Sequence, residues 1–78
     1  MDTIKKIVSQ YLNVENNRLK GDGYTHEQEH SALMDLETKT YSLMHKGKTE
    51  EVRHLAYLLH KNIKAKRACV GKLIGKEI

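Results

Sequence analysis

TEEVRHLAYLLHKNIKAKRACV, residues 49–70, holds no Gly and no Pro across its whole length. Its apolar positions, Val52, Ala56, Leu59, Ile63 and Val70, recur at steps of three and four or their sum, and Leu73 extends the series. That period is the signature of one face of an α-helix. Leu55 and Ile74 flank the stripe, and Lys66 falls on it as the one misfit. Thr49 stands where an N-cap belongs, and Glu50 and Glu51 follow where the helix dipole favours negative charge. The stretch reads as a single long helix of about 33 Å, at 1.5 Å per residue. Fraying is expected at Gly71 and Gly75.

Two further amphipathic segments precede it. Ile4, Ile7, Val8, Tyr11, Leu12 and Leu19 trace an apolar face, with Asp2 or Thr3 available as cap. Gly21-Asp22-Gly23 ends that segment, Gly21 suiting the left-handed residue beyond a helix. Thr25 and Gln28 have the spacing of a capping box, and Glu27 and Glu29 lie in or next to the first turn. Leu33, Leu36, Thr40, Leu43 and Met44 then line one face, widened by His30, Met34 and Tyr41. Lys46-Gly47-Lys48 is the next break. The expected fold is all-α: a small three-helix bundle or antiparallel helical hairpin with a long basic C-terminal helix. It forms a single helical domain over 1–78, with helices at about 3–20, 26–45 and 50–70 or longer.

The composition agrees. The 78 residues include four Tyr but no Phe, Trp or Pro, so the core is aliphatic. A chain this short buries roughly 60–65% of its unfolded surface and gains from oligomerisation. One Cys excludes an internal disulfide. With no apolar stretch of signal-peptide or membrane-span length, the expected location is cytoplasmic, without a membrane partner.

The charge is uneven. Residues 51–78 carry seven Lys/Arg against two Glu, whereas residues 1–50 carry seven against eight Asp/Glu. The overall net charge is +4. A positive field confined to one element speaks to partners rather than to fold. Arg53, Lys61, Lys64, Arg67, Lys72 and Lys76 are the expected contacts to nucleic acid or to an acidic partner surface, the lysines lying opposite the apolar stripe. Lys66, on the stripe, is expected to act in packing or assembly more than in binding. Only Tyr57 interleaves with the cations, which gives little support to single-strand stacking. Leu55-Ala56-x-x-Leu59 also opens like a helix-turn-helix, with a turn at 61–63 and a recognition helix from Ala65 to Lys76. The length of the third stripe predicts a homodimer with Ile63, Val70 and Leu73 at its interface.

His26-Glu27-Gln28-Glu29-His30 spells H-E-x-x-H, placing two imidazoles on one helical face. Over these five residues it resembles the zincin metalloprotease motif. That resemblance implies His26 and His30 as zinc ligands and Glu27 as base. No strand signal accompanies it to shape a cleft, and His26 falls on the first helical position. A polar first turn is the expectation, with no catalytic residues, no cofactor, no resident metal and no small-molecule substrate. Cys69, among Lys66, Arg67 and Lys72, is expected to be a small residue on a helix side.

The expected function is thus a non-enzymatic, small basic binding protein. Its third helix contacts nucleic acid or an acidic surface of a nucleic-acid-handling complex. The alternative is a small protein-binding regulator or inhibitor, of the phage-modulator kind, that occludes a site on a larger protein.

Overall fold

The structure, a computed structural model, describes residues 2–21 and 23–77. Three helices follow in chain order: α1 (Asp2–Lys20), α2 (His26–Lys46) and α3 (Glu50–Glu77). Among the described residues there is no β-structure. Thr40 meets His60 and Gly47 meets Arg53, so α2 and α3 run antiparallel. Glu29 meets Arg18 and Lys39 meets Gln10, so α1 and α2 do too. The result is an up-down-up bundle in which α2 and α3 share the largest contact. At 1.5 Å per residue α3 is about 42 Å long, which is the long dimension of the whole fold, 42 × 21 × 14 Å.

Local chemistry sets the helix ends. Gly21 closes α1 at φ 69°, its N–H donating to the Asn17 carbonyl at 3.2 Å. Thr25 forms the full capping box: its Oγ1 accepts from the Gln28 N–H at 3.1 Å, and its own N–H donates to Gln28 Oε1 at 2.9 Å. Thr49 Oγ1 accepts from the Val52 N–H at 3.1 Å, which caps α3. Thr3 lies inside α1 rather than capping it.

Ile7 and Val14 from α1, Leu33 and Leu36 from α2, and Ile63 and Val70 from α3 form the buried core. Tyr11, Tyr24, Ala32, Leu43, Leu59 and Ile74 pack against it. Three expectations change here. Val14, not Leu12 or Leu19, completes the face of α1; Leu19 is 75% exposed. The steps Ile4, Ile7, Tyr11, Val14 hold a tighter line than one through Leu12, and the bundle covers only that line. Second, α3 continues through Gly71 and Gly75 to Glu77 without a break. Burial of Val70 and the packing of Ile74 stabilise the last turns beyond what glycine propensity costs. Third, an unbroken α3 has no turn at 61–63, which removes the helix-turn-helix reading.

Ile63 and Val70 are in the core of the chain itself, with Ile63 fully buried. Of the three residues expected at a dimer interface, Leu73 is the exposed one. No helix among the described residues is long and apolar enough to cross a membrane.

Candidate functional site

The wheel of α2 carries two stripes. One is the core stripe of Leu33, Leu36 and Thr40. The other is Met34, Thr38, Tyr41 and His45, spaced by four, three and four and turned to solvent. The sequence pattern places Met34 and Tyr41 on the widened core face. Both are instead about half exposed, at 50% and 56%. Facing this second stripe on α3 are His60, Lys64 and Arg67. Together with Met34, Glu37, Thr38 and Tyr41 they line an open groove of about 430 Å3 between the two helices.

The floor of the groove is fixed by one polar cluster. Thr40 is fully buried, and its hydroxyl lies 3.0 Å from the Leu36 and Glu37 carbonyl oxygens. His60 Nδ1 sits 3.1 Å from that Glu37 carbonyl and 3.0 Å from Thr40 Oγ1. A carbonyl only accepts, so Nδ1–H is the donor to Glu37, and the hydroxyl oxygen accepts alongside. The imidazole is held edge-on to α2, with the Tyr41 ring centroid 5.8 Å away. The His45 ring is also tilted against Tyr41, with 4.6 Å between centroids.

The cations of α3 separate into two groups. Arg53 Nη1 donates to the Gly47 carbonyl at 2.8 Å and closes the α2–α3 turn. Arg67 pairs with the Glu37 carboxylate within the groove. Lys66 reaches across to Glu15 of α1 at 3.2 Å, which explains a lysine on the core stripe: its stem packs inward and its ammonium meets a carboxylate. Lys61, Lys64 and Lys72 are exposed. The Lys61 ammonium lies 5.7 Å from the ring centroid of Tyr57. Lys76 belongs to α3, but its side chain lies outside the described part of the structure.

A second polar cluster joins α1 to the hairpin. Glu15 accepts from Arg18 at 2.8 Å and from Lys66. The Arg18 hydrogen bond, then Lys66, hold the Glu15 carboxyl below the usual carboxylate range, against the opposing effect of burial. Glu29 is 1% exposed, with Oε2 3.3 Å from Arg18 Nε. That contact is an ion pair by distance, though the N–H is not aimed well enough to donate to this oxygen. The sequence pattern assigns Glu29 to the N-terminal dipole of α2; its burial follows from α1 packing against it through Arg18. Burial also pushes the phenols of Tyr11 and Tyr24 up. Tyr11 thus remains a neutral donor to Asn62 Oδ1, at 3.1 Å.

His26 occupies the first position of α2, as its capping box requires, while His30 lies beside Gly71 of α3. Among the described residues no group of three or more His, Cys, Asp or Glu side chains is placed to hold a metal ion. Cys69 is exposed.

No known protein family matches the chain, and no curated protein or solved structure matches it significantly.

Proposed function

We propose that this chain is a small non-enzymatic binding protein whose third helix engages an acidic macromolecular surface. The partner is nucleic acid or an acidic protein of a nucleic-acid-handling complex. One observation carries this reading: Lys61, Lys64 and Lys72 are exposed on α3 while Arg53, Lys66 and Arg67 hold the fold together. The exposed lysines run from Lys61 to Lys72, eleven steps along α3 or about 16 Å along the axis. A short cationic row of that length steers encounter with a negative surface.

A second reading is a regulator that occludes a site on a larger protein. It is favoured by Met34, Tyr41, Tyr57 and Leu58, all large apolar side chains left substantially exposed on α2 and α3. Exposed apolar groups rimmed by charge mark docking surfaces. The proposed setting for either is the cytoplasm, where the exposed Cys69 thiol stays reduced. The proposed homodimer forms around Leu73, because Ile63 and Val70 are taken up by the core.

The test is a salt series of binding to labelled duplex DNA, single-stranded RNA and poly-glutamate, read by fluorescence anisotropy. Binding that weakens steeply with salt is expected for at least one of them. On duplex DNA each neutralised phosphate contributes roughly −0.9 to the slope of log affinity against log salt, so replacing Lys61 and Lys64 by Ala flattens it by about 2. Absence of binding to all three polymers at low salt refutes the acidic-surface reading.

A further inference from the structure

A hairpin of two antiparallel helices has a groove on each side, and α1 fills one of them. Ala32, Leu36 and Lys39 of α2 face α1 beside Gln10 and Val14. On α3, Asn62 and Lys66 do the same through Tyr11 and Glu15. Residues two apart on an α-helix point about 200° apart. Met34 is therefore opposed to Ala32, Tyr41 to Lys39, and Lys64 to both Asn62 and Lys66. The groove lined by Met34, Tyr41, Lys64 and Arg67 lies on the side of the hairpin away from α1.

We infer that this second groove seats an acidic amphipathic helix of a partner protein, in the place a fourth helix takes in a bundle. The inference rests on the acidic-surface reading above and commits it to a protein. Shape is the first support. The hairpin already accepts one helix, α1, on its other side, so its inter-helix groove has the width a helix needs. From Met34 to Tyr41 the lining runs about 10 Å, room for two turns of helix. Chemistry is the second. Met34 and Tyr41 offer half-exposed apolar surface along the α2 side of the groove, and methionine adapts to a ligand's side chains. Charge is the third. Lys64 and Arg67 line the groove and Lys61 stands one turn away, while the carboxylate among the lining residues, Glu37, is already paired with Arg67. With Glu37 and Arg67 offsetting each other, the lining is left with the positive charge of Lys64. Acidic residues three or four apart along the edge of the incoming helix meet Lys61 and Lys64.

A second copy of this chain is a poorer occupant. About a two-fold axis the same face meets itself, which brings two faces carrying the same excess of positive charge together. A duplex is poorer too, because phosphates need the lysines but leave Met34 and Tyr41 without a partner.

The experiment uses the full chain and a synthetic helical peptide with leucines on one face and glutamates flanking them. Its controls are the same residues scrambled, the same peptide with lysines for glutamates, and a short DNA duplex. The expected result is affinity for the acidic amphipathic peptide at least about tenfold above its scramble. Amide shifts in the complex should centre on Met34, Thr38, Tyr41 and Lys64. Lys64→Glu should lower affinity for the acidic peptide and raise it for the lysine peptide. Met34→Asp should weaken the acidic peptide with the circular dichroism spectrum still helical. Equal binding of the scramble overturns the inference, as does a shift map on the α1 side or self-association through Met34 and Tyr41. Salt-dependent binding to acidic polymers would then still stand as the broader reading. Failure of the acidic peptide to bind at low salt also overturns the inference, and failure of duplex DNA, single-stranded RNA and poly-glutamate as well removes both readings.

Discussion

Thr40 shows how one buried hydroxyl organises a surface. It ties α2 to His60 of α3 and so sets where the imidazole stands in the groove. Thr40→Val keeps the shape and removes the hydroxyl. The expected loss is about 1 kcal/mol, the net value of an ordinary hydrogen bond partly offset by methyl burial. Urea melts followed by circular dichroism measure it; no loss would mean that the Glu37 carbonyl alone holds His60. Glu37 poses a different question, because its carboxylate occupies Arg67 from within the groove. A partner carboxylate must compete with it. Glu37→Gln weakens that internal pair and adds a unit of positive charge, so affinity for an acidic peptide should rise about two- to fivefold, in line with a partly exposed ion pair. Titration calorimetry of the variant decides: a fall in affinity would mean that Glu37 positions Arg67 rather than competes for it.

The glycines of the last helix illustrate an element overriding its own propensities. Gly71 lies inside α3, where a Cβ would meet His30 at an ordinary 3.7 Å, and at Gly75 it would meet nothing within 4 Å. Gly71→Ala and Gly75→Ala should each stabilise the protein by about 0.5–1 kcal/mol, because alanine loses less backbone freedom in a helix. Gly47 is the contrast. A Cβ there would sit 2.7 Å from the Leu43 carbonyl oxygen and 3.0 Å from Arg53 Cγ. Gly47→Ala should therefore cost about 1–3 kcal/mol, the range for forcing an atom into a packed site. Thermal melts of the three variants should move in opposite directions, and a destabilising Gly71→Ala would contradict a fully helical C-terminus. The caps at Thr25 and Thr49 and the stop at Gly21 were legible in sequence because each acts within about four residues of itself. The extent of α3 was not, since what holds its last turns is tertiary burial of Val70 and packing of Ile74. The lysines were legible as charges. Their division into structural and free was not, because Arg67 with Glu37 and Lys66 with Glu15 are pairs distant in sequence. The second stripe of α2 was present in the spacing of Met34, Thr38, Tyr41 and His45. Sequence alone gave no means of telling a wide core face from two faces.

At the scale of the molecule the three helices are unequal partners. The α2–α3 hairpin carries most of the packing, while α1 rests on it through Ile4, Ile7 and Val14 and through polar ties at Glu15, Glu29 and Tyr11. An element with fewer buried contacts opens at lower free energy than the rest. Glu15 adds a pH dependence to that opening. Its carboxyl titrates below the usual range in the folded state, mainly through the Arg18 hydrogen bond and then Lys66. Its contribution is therefore complete above the ordinary carboxylate value and is lost as pH falls through the lowered one. The Lys66 tie to α3 goes with it, and α1 loses a link to the hairpin. Hydrogen exchange across an acid series should show α1 amides losing protection first, with the α2 and α3 amides around Leu33, Leu36, Ile63 and Val70 holding longer. In Glu15→Gln the α1 amides should be less protected at neutral pH, and the acid-dependent part of their loss should shrink. If all three helices lose protection together at every pH, α1 is no separate unit, and the Glu15 link acts on the whole bundle at once.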